Sequence, residues 1–405
     1  MIRKLFPILG ITFIDIMGFS ILIPILPYFV KHFGASDLTV GVLFSTFAFC
    51  GLIAGPIWGN ISDRIGRKGV LIISQIGATI GWAILAFAPS MVVVFIARII
   101  EGLSGGNIGV TQAYVTDLVE PKERTRAYSY VAAAFGAGFP FGGLIGGFLL
   151  DRFGFSAPFL VAAGLQLLTL IITIAMLPES TSRQTRSDIA TIGEIVANLK
   201  NRRTAPVLWQ KLAISLGLYA WFAVFALYLQ AALGMTASQA AYMFAGFGVL
   251  NALLQVLLVG RVSDALGDRW TSNLGLATLV CAFTMIPFIH TFWTVAAAFT
   301  LFGIGMSLTN PTITSLISHA APPNQRGTIL SVASSLDSLS GVVTPLASTA
   351  VLGRFGSPLA GLVSLCFELI ALMLGLSSTK REQKQEKSDA GTASLSEEDL
   401  VQVQP

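Results

Sequence analysis

The chain has 405 residues, of which 54% are hydrophobic and only 11% are charged, and its formal net charge is +4. Soluble domains carry charge on about a quarter of their residues, so a soluble protein of this composition would be unable to cover its surface with polar groups. The composition therefore predicts a protein that faces lipid over most of its surface. Nucleic-acid binding is excluded, because no basic stretch is interleaved with aromatic residues.

Apolar segments of spanning length recur along the chain, and each span needs about 20 residues to cross a hydrocarbon core of about 30 Å. Only α-helices and closed β-barrels satisfy every backbone hydrogen bond in lipid, and these segments are too long and too uniformly apolar for barrel strands. Twelve helical spans are predicted, at Phe6–Phe29, Val40–Gly59, Gly69–Phe87, Met91–Leu118, Ala127–Leu150, Phe155–Leu177, Val207–Gln230, Gln239–Gly260, Trp270–Ile289, Phe292–Ile317, Thr328–Leu352 and Pro358–Ser377.

The distribution of Lys and Arg predicts the orientation of these spans. Lys31, Arg152 and Arg354 are the basic residues in the loops on one side, Arg98 lies inside a span, and the remainder fall on the other side or at its border. Cytoplasmic loops are enriched in Lys and Arg. Because the number of spans is even, both termini are expected in the cytoplasm.

An internal repeat divides the chain into two halves. The sequence GNISDRIG at Gly59–Gly66 recurs 201 residues later as GRVSDALG at Gly260–Gly267. Pro121 and Pro322 are also separated by 201 residues. Tandem halves that hold substrate between them at mid-membrane are a recurring plan of secondary transporters. The predicted domains are an N-terminal six-helix bundle at 1–177, a cytoplasmic linker at 178–206, a C-terminal six-helix bundle at 207–378 and a disordered cytoplasmic tail at 379–405.

The loop after span two carries the most specific motif. It reads GNISDRIGRK, which resembles the signature of the major facilitator superfamily: glycine, three variable residues, aspartate, arginine, one variable residue, glycine, arginine and lysine. Its glycines permit a tight turn between two helices, and its aspartate can form a charged clasp. The resemblance implies a conformational latch formed by Gly59, Asp63, Arg64, Gly66 and Arg67, together with Asp117 and Arg124 near the end of span four.

Span one contains an acid at membrane depth. Asp15, Gly18, Pro24 and Pro27 follow a spacing that resembles the first helix of the twelve-span tetracycline-resistance proteins and related drug/proton antiporters. Asp15 lies about 13 Å along the helix from Phe6. A carboxylate at this depth is costly and by default faces a cavity and has a function, so Asp15 is the first proton-coupling or cation-sensing candidate. A structural acid hydrogen-bonded to neighbouring helices is the alternative.

Span four contains Arg98, Glu101 and Gly102. Their spacing resembles a motif of the same superfamily that consists of arginine, two variable residues, glutamine or glutamate, and glycine. Arg98 and Glu101 are three positions apart and therefore share one helix face. Protonation of Glu101 would free Arg98, which suits proton coupling, whereas a permanent, silent buried pair is the competing interpretation. Asp337 in span eleven and Glu368 in span twelve are the remaining intramembrane acids and further proton-coupling candidates.

A glycine-rich motif in span five resembles the antiporter motif of drug exporters. Gly143 occupies the position of the motif's proline, and a proline stands three residues earlier instead. Glycines spaced four apart also allow two helix backbones to approach closely, so simple packing is the alternative. The residues concerned are Gly138, Pro140, Gly142, Gly143, Gly146 and Gly147.

The second half offers weaker candidates for a substrate cavity: Asn251 and Gln255 on one face of span eight, Asn310 at a break of span ten predicted at Pro311, and Trp221, Phe225 and Tyr228 along span seven. The three cysteines have no metal-ligand spacing and are expected to be buried free thiols. No phosphate-binding loop, nucleophile elbow or metal-ligand cluster is found. We therefore expect no enzyme activity, no metal and no cofactor, with the proton as coupling ion.

The resemblance covers all twelve spans and implies the major facilitator fold, an all-α membrane protein of two pseudo-symmetric six-helix bundles. It also implies secondary active transport, by proton-coupled efflux of a small, partly hydrophobic compound such as a drug, and hence multidrug or antibiotic resistance. The alternatives are a metabolite uniporter or proton symporter of the same fold, and a non-transporting membrane receptor or scaffold. We expect a monomer in the bacterial cytoplasmic (inner) membrane.

Overall fold

The computed structural model describes residues 2–105, 111, 114–115, 118–119, 124–179, 192–322 and 325–379. All regular secondary structure within these ranges is helical. Nine stretches there are long and apolar enough to cross a membrane, and one of them, Ala237–Phe288, has 52 residues and covers the predicted spans eight and nine. Spans four and five are helical over Met91–Ser104 and Arg124–Phe153. The predicted all-α fold of twelve spans is confirmed.

Most helices extend a few residues beyond the predicted spans, because the polar ends of a membrane helix continue into the interface. In chain order the helices are Ile2–His32, Asp37–Ile65, Arg67–Ala86, Met91–Ser104, Arg124–Phe153, Ser156–Met176, the short Ile192–Lys200, Ala205–Leu233, Ala237–Leu254, the π-helical turn Gln255–Val259, Gly260–Met285, Phe292–Ala320, Arg326–Phe355 and 362–379. The short helix falls inside the predicted linker, and the predicted tail lies outside the described residues beyond Thr379.

Two expectations from the sequence are wrong. Pro311 does not break span ten, whose helix is continuous over Phe292–Ala320. Proline removes one backbone hydrogen bond, and the neighbouring helices of a membrane bundle can compensate for it. Of the three free thiols only Cys50 is buried, whereas Cys281 and Cys366 are exposed. Apolar segments in a bilayer place much of their surface against lipid, so an apolar context does not imply burial in protein.

Local sequence signals define where the helices begin and end. The hydroxyl of Ser36 accepts from the backbone N–H of Thr39 at the start of span two, and Thr236 forms a reciprocal capping box with Gln239 at the start of span eight. Such caps satisfy backbone donors that have no partner within the helix. Span seven ends at Gly234, whose left-handed conformation (φ 63°) is the common glycine C-cap.

The repeated motif forms the same turn in both halves. Gly66 has φ 94° between spans two and three, and Gly267 has φ 77° between spans eight and nine. Only glycine adopts such angles without strain, and no other residue type in the described chain has a positive φ. The sequence repeat is therefore also a repeat of backbone conformation.

The helices form two bundles that meet along two seams. In the first bundle span one packs on spans five and six, and span three packs on spans four and six; in the second, span nine packs on span ten and span seven on span eleven. Span two packs against span eleven and span five against span eight, which joins the bundles. The predicted domain boundaries stay predictions.

Candidate functional site

The two bundles are in close contact at one end of the molecule, which we call the Gly34 end because Gly34, Gly154, Gly234 and Gly356 turn the chain there. The hydroxyl of Tyr28 in span one donates to the carbonyl oxygen of Met235, between spans seven and eight, at 3.0 Å. Tyr242 of span eight donates to Asp151 of span five, also at 3.0 Å. Both bonds cross between the bundles and hold this end closed.

The opposite end, called the Gly66 end after the turn between spans two and three, shows no close contact between the bundles at two described glycines. A Cβ added at Gly55 of span two or at Gly260, beyond the π-helical turn of span eight, would meet no described atom within 4 Å. Val256 in the same π-helical turn is 83% exposed. In the part of the chain that the structure describes, the helices that touch at the Gly34 end therefore diverge toward the Gly66 end, and we call the space between the bundles there the cleft.

One face of the span-five glycine motif packs on span one. A Cβ at Gly138 would lie 2.8 Å from the carbonyl oxygen of Phe13, and one at Gly142 would overlap the carbonyl oxygen of Met17. Ser20 donates to the carbonyl oxygen of Phe139 at 2.5 Å, so the helices also share a hydrogen bond. Gly146 continues this face against isoleucine side chains of span one. This face of the motif therefore allows spans one and five to pack closely.

The other face of the same motif packs on span eight, across the seam between bundles. A Cβ at Gly143 would lie 2.8 Å from a span-eight carbonyl oxygen, and one at Gly147 would lie 2.7 Å from the ring of Tyr242. Pro140 packs against Gly248. The motif therefore contacts both an intrabundle and an interbundle partner.

Asp15 of span one faces span six. Its side-chain hydrogen-bond partner is Gln166 of span six, while its Oδ1 atom is buried and has no partner. No cation in the described chain pairs with it. An acid with one amide partner and one unused oxygen fits either a proton carrier or a structural acid, so its predicted role stays a prediction.

Arg98 and Glu101 form the expected ion pair. Nη1 of Arg98 donates to Oε2 of Glu101, and both side chains are buried. The guanidinium carbon lies 4.3 Å from the ring centroid of Phe47 in span two. Nε and Nη2 of Arg98 are buried without a partner. The pair thus sits between spans two and four, and its coupling role remains untested.

The third candidate acid has a partner that sequence reasoning missed. Oδ1 of Asp337 accepts from Nζ of Lys211 at 2.8 Å and also from the hydroxyl of Ser215, both in span seven. The sequence predicts Lys211 at the cytoplasmic border of span seven, and it lies near the start of the helix Ala205–Leu233. A lysine within an apolar segment, with an acid in another span, was the signal that could have identified this pair.

Glu368 is the most enclosed of the four acids. Its side chain is 1% exposed, and its Oε2 atom has no partner. It packs on span seven, where a Cβ at Gly217 would lie 2.7 Å from Oε1. Glycine at this position makes room for the carboxyl group.

Equivalent residues hold the repeated turn in both halves, but the donor and the acceptor of the hydrogen bond are exchanged. In the first copy Arg67 donates to the hydroxyl of Ser62, and in the second copy the hydroxyl of Ser263 donates to Asp268. Asp268 stands at the repeat position of Arg67, so the sequence departure reverses the donor while keeping the link. Gly66 lies against Glu179, which a Cβ there would overlap.

Several latch residues cannot be placed. Gly59 is buried within the span-two helix. The side chains of Asp63, Arg64 and Arg124 and the whole of Asp117 lie outside the described part of the chain. The latch therefore stays a prediction.

The aromatic residues of span seven pack inside the second bundle. Phe225 packs edge-on against Trp221 and Phe299, and Trp221 packs against Phe299 at a tilt. The hydroxyl of Tyr228 donates to the carbonyl oxygen of Ile286. All three side chains are buried. They belong to the aromatic core of the second bundle, where Trp221 also lines a small cavity with Phe283 and Phe302, and their place in a substrate cavity stays a prediction.

The polar cavity candidates of spans eight and ten are more accessible. Asn251 and Asn310 are partly buried, and Gln255 is exposed in the π-helical turn. Single π-helical turns are frequent at functional sites.

Comparison with known proteins supports a transporter. The chain is 27% identical over 395 residues to the tetracycline resistance protein, class B, of Escherichia coli, covering 93% of this chain and 96% of that protein. It is 29% identical over 346 residues to multidrug resistance protein 2 of Bacillus subtilis, covering 84% and 86%.

Solved structures share the fold. The bacterial homologue of the human lysosomal transporter Spinster, inward-facing and unoccupied, matches with a TM-score of 0.77 at 15% identity, over 93% of this chain and 96% of that one. The human organic anion transporter MFSD10 (TETRAN) matches with a TM-score of 0.71 at 20% identity, over 92% and 99%. At these identities the likeness concerns the fold alone.

The family profile described as Major Facilitator Superfamily matches residues 8–231 and 214–402. Two overlapping matches, one in each half, agree with the repeated turn and with the two bundles. The chain therefore belongs to the Major Facilitator Superfamily, whose members are multi-pass membrane transporters of small molecules and not enzymes.

Proposed function

We propose that this transporter exports a small, partly hydrophobic compound, such as a drug, in exchange for protons. The observation that carries the proposal is Asp15, an acid at membrane depth with an unpaired buried oxygen. A titratable group in this setting is what proton exchange requires. The names of the relatives, tetracycline resistance and multidrug resistance, support drug efflux as the direction and class of transport.

The location that fits this function is the bacterial inner membrane, with both termini in the cytoplasm. The Gly66 end, which carries most of the basic residues, then faces the cytoplasm. In that orientation the cleft between the bundles opens inward, toward the compartment from which an exporter loads its substrate. The protein acts as a monomer, because one chain supplies both bundles and the cleft.

The candidate acids have a proposed order of preference for the coupling role. Asp15 carries the exchanged proton or senses substrate charge, the Arg98–Glu101 pair is the second candidate, and Asp337 and Glu368 follow. The turn at Gly66, with Asp63, supplies the latch that holds one conformation.

The test is a panel of labelled compounds, including tetracycline, in proteoliposomes that contain the purified chain and an internal pH dye. An imposed pH gradient should drive substrate movement. An imposed substrate gradient should in turn drive protons in the opposite direction, which the dye would report. Asp15→Asn should abolish gradient-driven transport while substrate-for-substrate exchange survives if Asp15 only carries protons. If it binds the substrate's charge, both activities should fall together.

The other outcomes identify the alternatives. A transport rate that does not depend on the pH gradient indicates a metabolite uniporter. Movement of proton and substrate in the same direction indicates a symporter. A chain that is folded but moves none of the compounds would support a receptor or scaffold.

A further inference from the structure

An ion pair lies deep inside the membrane on spans seven and eleven. Asp337 is about 16 Å along the helix axis from Arg326 at the start of span eleven. Its Oδ1 atom accepts from both Lys211 and Ser215. Charged groups at this depth are costly unless they are paired or face a water-filled cavity.

The pair lies where the seam between spans two and eleven opens. Toward the Gly34 end the two helices touch: a Cβ at Gly41 would lie 2.7 Å from the carbonyl oxygen of Pro345, and one at Gly341 would lie 3.2 Å from the Cβ of Ala48. Asp337 is one turn beyond Gly341 on the same face of span eleven. A Cβ at Gly55, further along span two, would meet no described atom within 4 Å. Asp337 is therefore at the closed end of the interbundle cleft.

The carboxylate is the more accessible member of the pair. The Asp337 side chain is 32% exposed, and the Lys211 side chain is 15% exposed. Both donors use Oδ1, and no donor in the described chain reaches the second oxygen, Oδ2. A carboxylate oxygen accepts about two hydrogen bonds, so Oδ2 retains its capacity. The free acceptor of the pair is therefore negative and lies at the closed end of the cleft.

The surroundings favour a positive ligand with an apolar body. Of the four intramembrane acids, only Glu101 and Asp337 have a basic partner among the described residues. Among the described basic residues Lys211 is the one paired with Asp337, so the carboxylate keeps an acceptor for a further positive group. Tyr219 continues the face of span seven that carries Lys211 and Ser215, each four residues apart. Its ring lies 3.4 Å from a Cβ placed at Gly341, so an aromatic surface adjoins the carboxylate.

We propose that Asp337 recognises a protonated amine on the transported compound, whose ammonium N–H groups donate to Oδ2 while Lys211 and Ser215 hold Oδ1. Tyr219 provides the adjoining surface for the hydrocarbon part. The proposal rests on the proposed function, because it identifies the class of compound that enters the cleft. Anions are disfavoured, since Lys211 is the less exposed partner and its charge is already engaged.

The test is equilibrium dialysis of the full-length protein in nanodiscs of zwitterionic lipid, at neutral pH and with no gradient. The probes are 2-phenylethylamine, 2-phenylethanol and 3-phenylpropanoate, which share an apolar body and differ in charge. The amine should bind at least about tenfold more tightly than the other two, because a hydrogen bond to a charged group is stronger than one between neutral groups. Asp37→Asn, which removes an acid paired with Lys31 at the Gly34 end, should keep this preference.

Two variants of the pair make the outcome decisive. Asp337→Asn alone leaves Lys211 unpaired and risks misfolding, so the main variant is the double substitution Lys211→Met with Asp337→Asn, which removes both charges and should abolish the preference for the amine. Lys211→Met alone should keep or increase amine binding, because it removes an internal competitor for the carboxylate. Equal binding of the three probes by the native protein, or an amine preference that survives in the double variant, would overturn the proposal. So would a preference for 3-phenylpropanoate that is lost on Lys211→Met.

These binding results are independent of transport. If the protein selects the amine but shows no proton-linked transport, the proposed function is refuted and the proposed recognition site is still supported. A chain that exchanges a neutral compound for protons, without amine selectivity, refutes the recognition site alone.

Discussion

Tyr242 of span eight donates its hydroxyl to Oδ2 of Asp151 in span five, with 3.0 Å between the oxygens. The two residues belong to different bundles, so this bond must break before the Gly34 end can open. Together with the bond from Tyr28 to Met235, it biases the molecule toward the conformation that is open at the Gly66 end.

Tyr242→Phe should shift this equilibrium toward opening at the Gly34 end. The bond is exposed, so its loss should change the balance by at most about 1 kcal/mol, or roughly fivefold in population. Spin-label distances between spans five and eight at this end would measure the shift. Ser357→Ala, at the same end but away from this seam, is the control and should leave the distances unchanged; an unchanged distribution in Tyr242→Phe would show that packing alone closes the seam.

Gly142→Ala should destabilise the protein by about 1–3 kcal/mol, because the added methyl overlaps the carbonyl oxygen of Met17 and the span-one helix must move. Gly136→Ala, in the same helix, is the matched control, since its Cβ would meet no described atom within 4 Å. Thermal unfolding of both variants in one detergent measures the difference. Equal unfolding temperatures would contradict the close packing of spans one and five.

Arg98→Met should cost about 3–5 kcal/mol, because it leaves Glu101 buried without its cation. The double variant Arg98→Met with Glu101→Gln should recover most of that loss, as judged by unfolding temperature. Its transport then separates the two interpretations of the pair. A silent pair predicts normal gradient-driven transport in the double variant, whereas a coupling pair predicts a stable protein that no longer links transport to protons.

Asp63→Asn should leave the protein folded and able to bind substrate but strongly reduce turnover, because alternation loses its charged clasp. Asp264→Asn, its repeat equivalent, should have a milder effect, since the second copy lacks the arginines that follow the aspartate in the first. Initial rates of efflux at matched protein levels are the measurement. Normal turnover in Asp63→Asn would reduce the motif to a turn.

Orientation can be tested by cysteine labelling in a background that lacks the three native cysteines. A cysteine at Ser36 should react with an impermeant reagent only from outside the cell, and one at Asn201 only from the cytoplasmic side, because both positions are exposed at opposite ends of the molecule. Cysteines at Ser187 and Ser388 should behave as Asn201 does. Outside labelling at Asn201 would reverse the proposed direction of the cleft.

The sequence by itself determined the class of the fold and much of its plan. Length and hydropathy predict helical spans because lipid leaves the backbone no other way to satisfy its hydrogen bonds. The repeat at Gly66 and Gly267 predicts a shared turn, since its glycines allow backbone angles that other residues avoid. The spacing of Arg98 and Glu101 predicts their pairing, because both lie on one face of one helix. Each of these inferences depends on local geometry, which sequence separation determines directly.

Only the tertiary structure decided which distant helices face each other. Lys211 and Asp337 are paired across two spans far apart in sequence, and no local rule identifies that partnership. The span-five glycines contact two different helices because successive positions point in different directions around one axis, and the identity of each partner depends on how the bundles assemble. The burial of Trp221 likewise depends on rings contributed by spans nine and ten. The cleft itself is a property of the relative position of the two bundles, which no segment of the chain specifies alone.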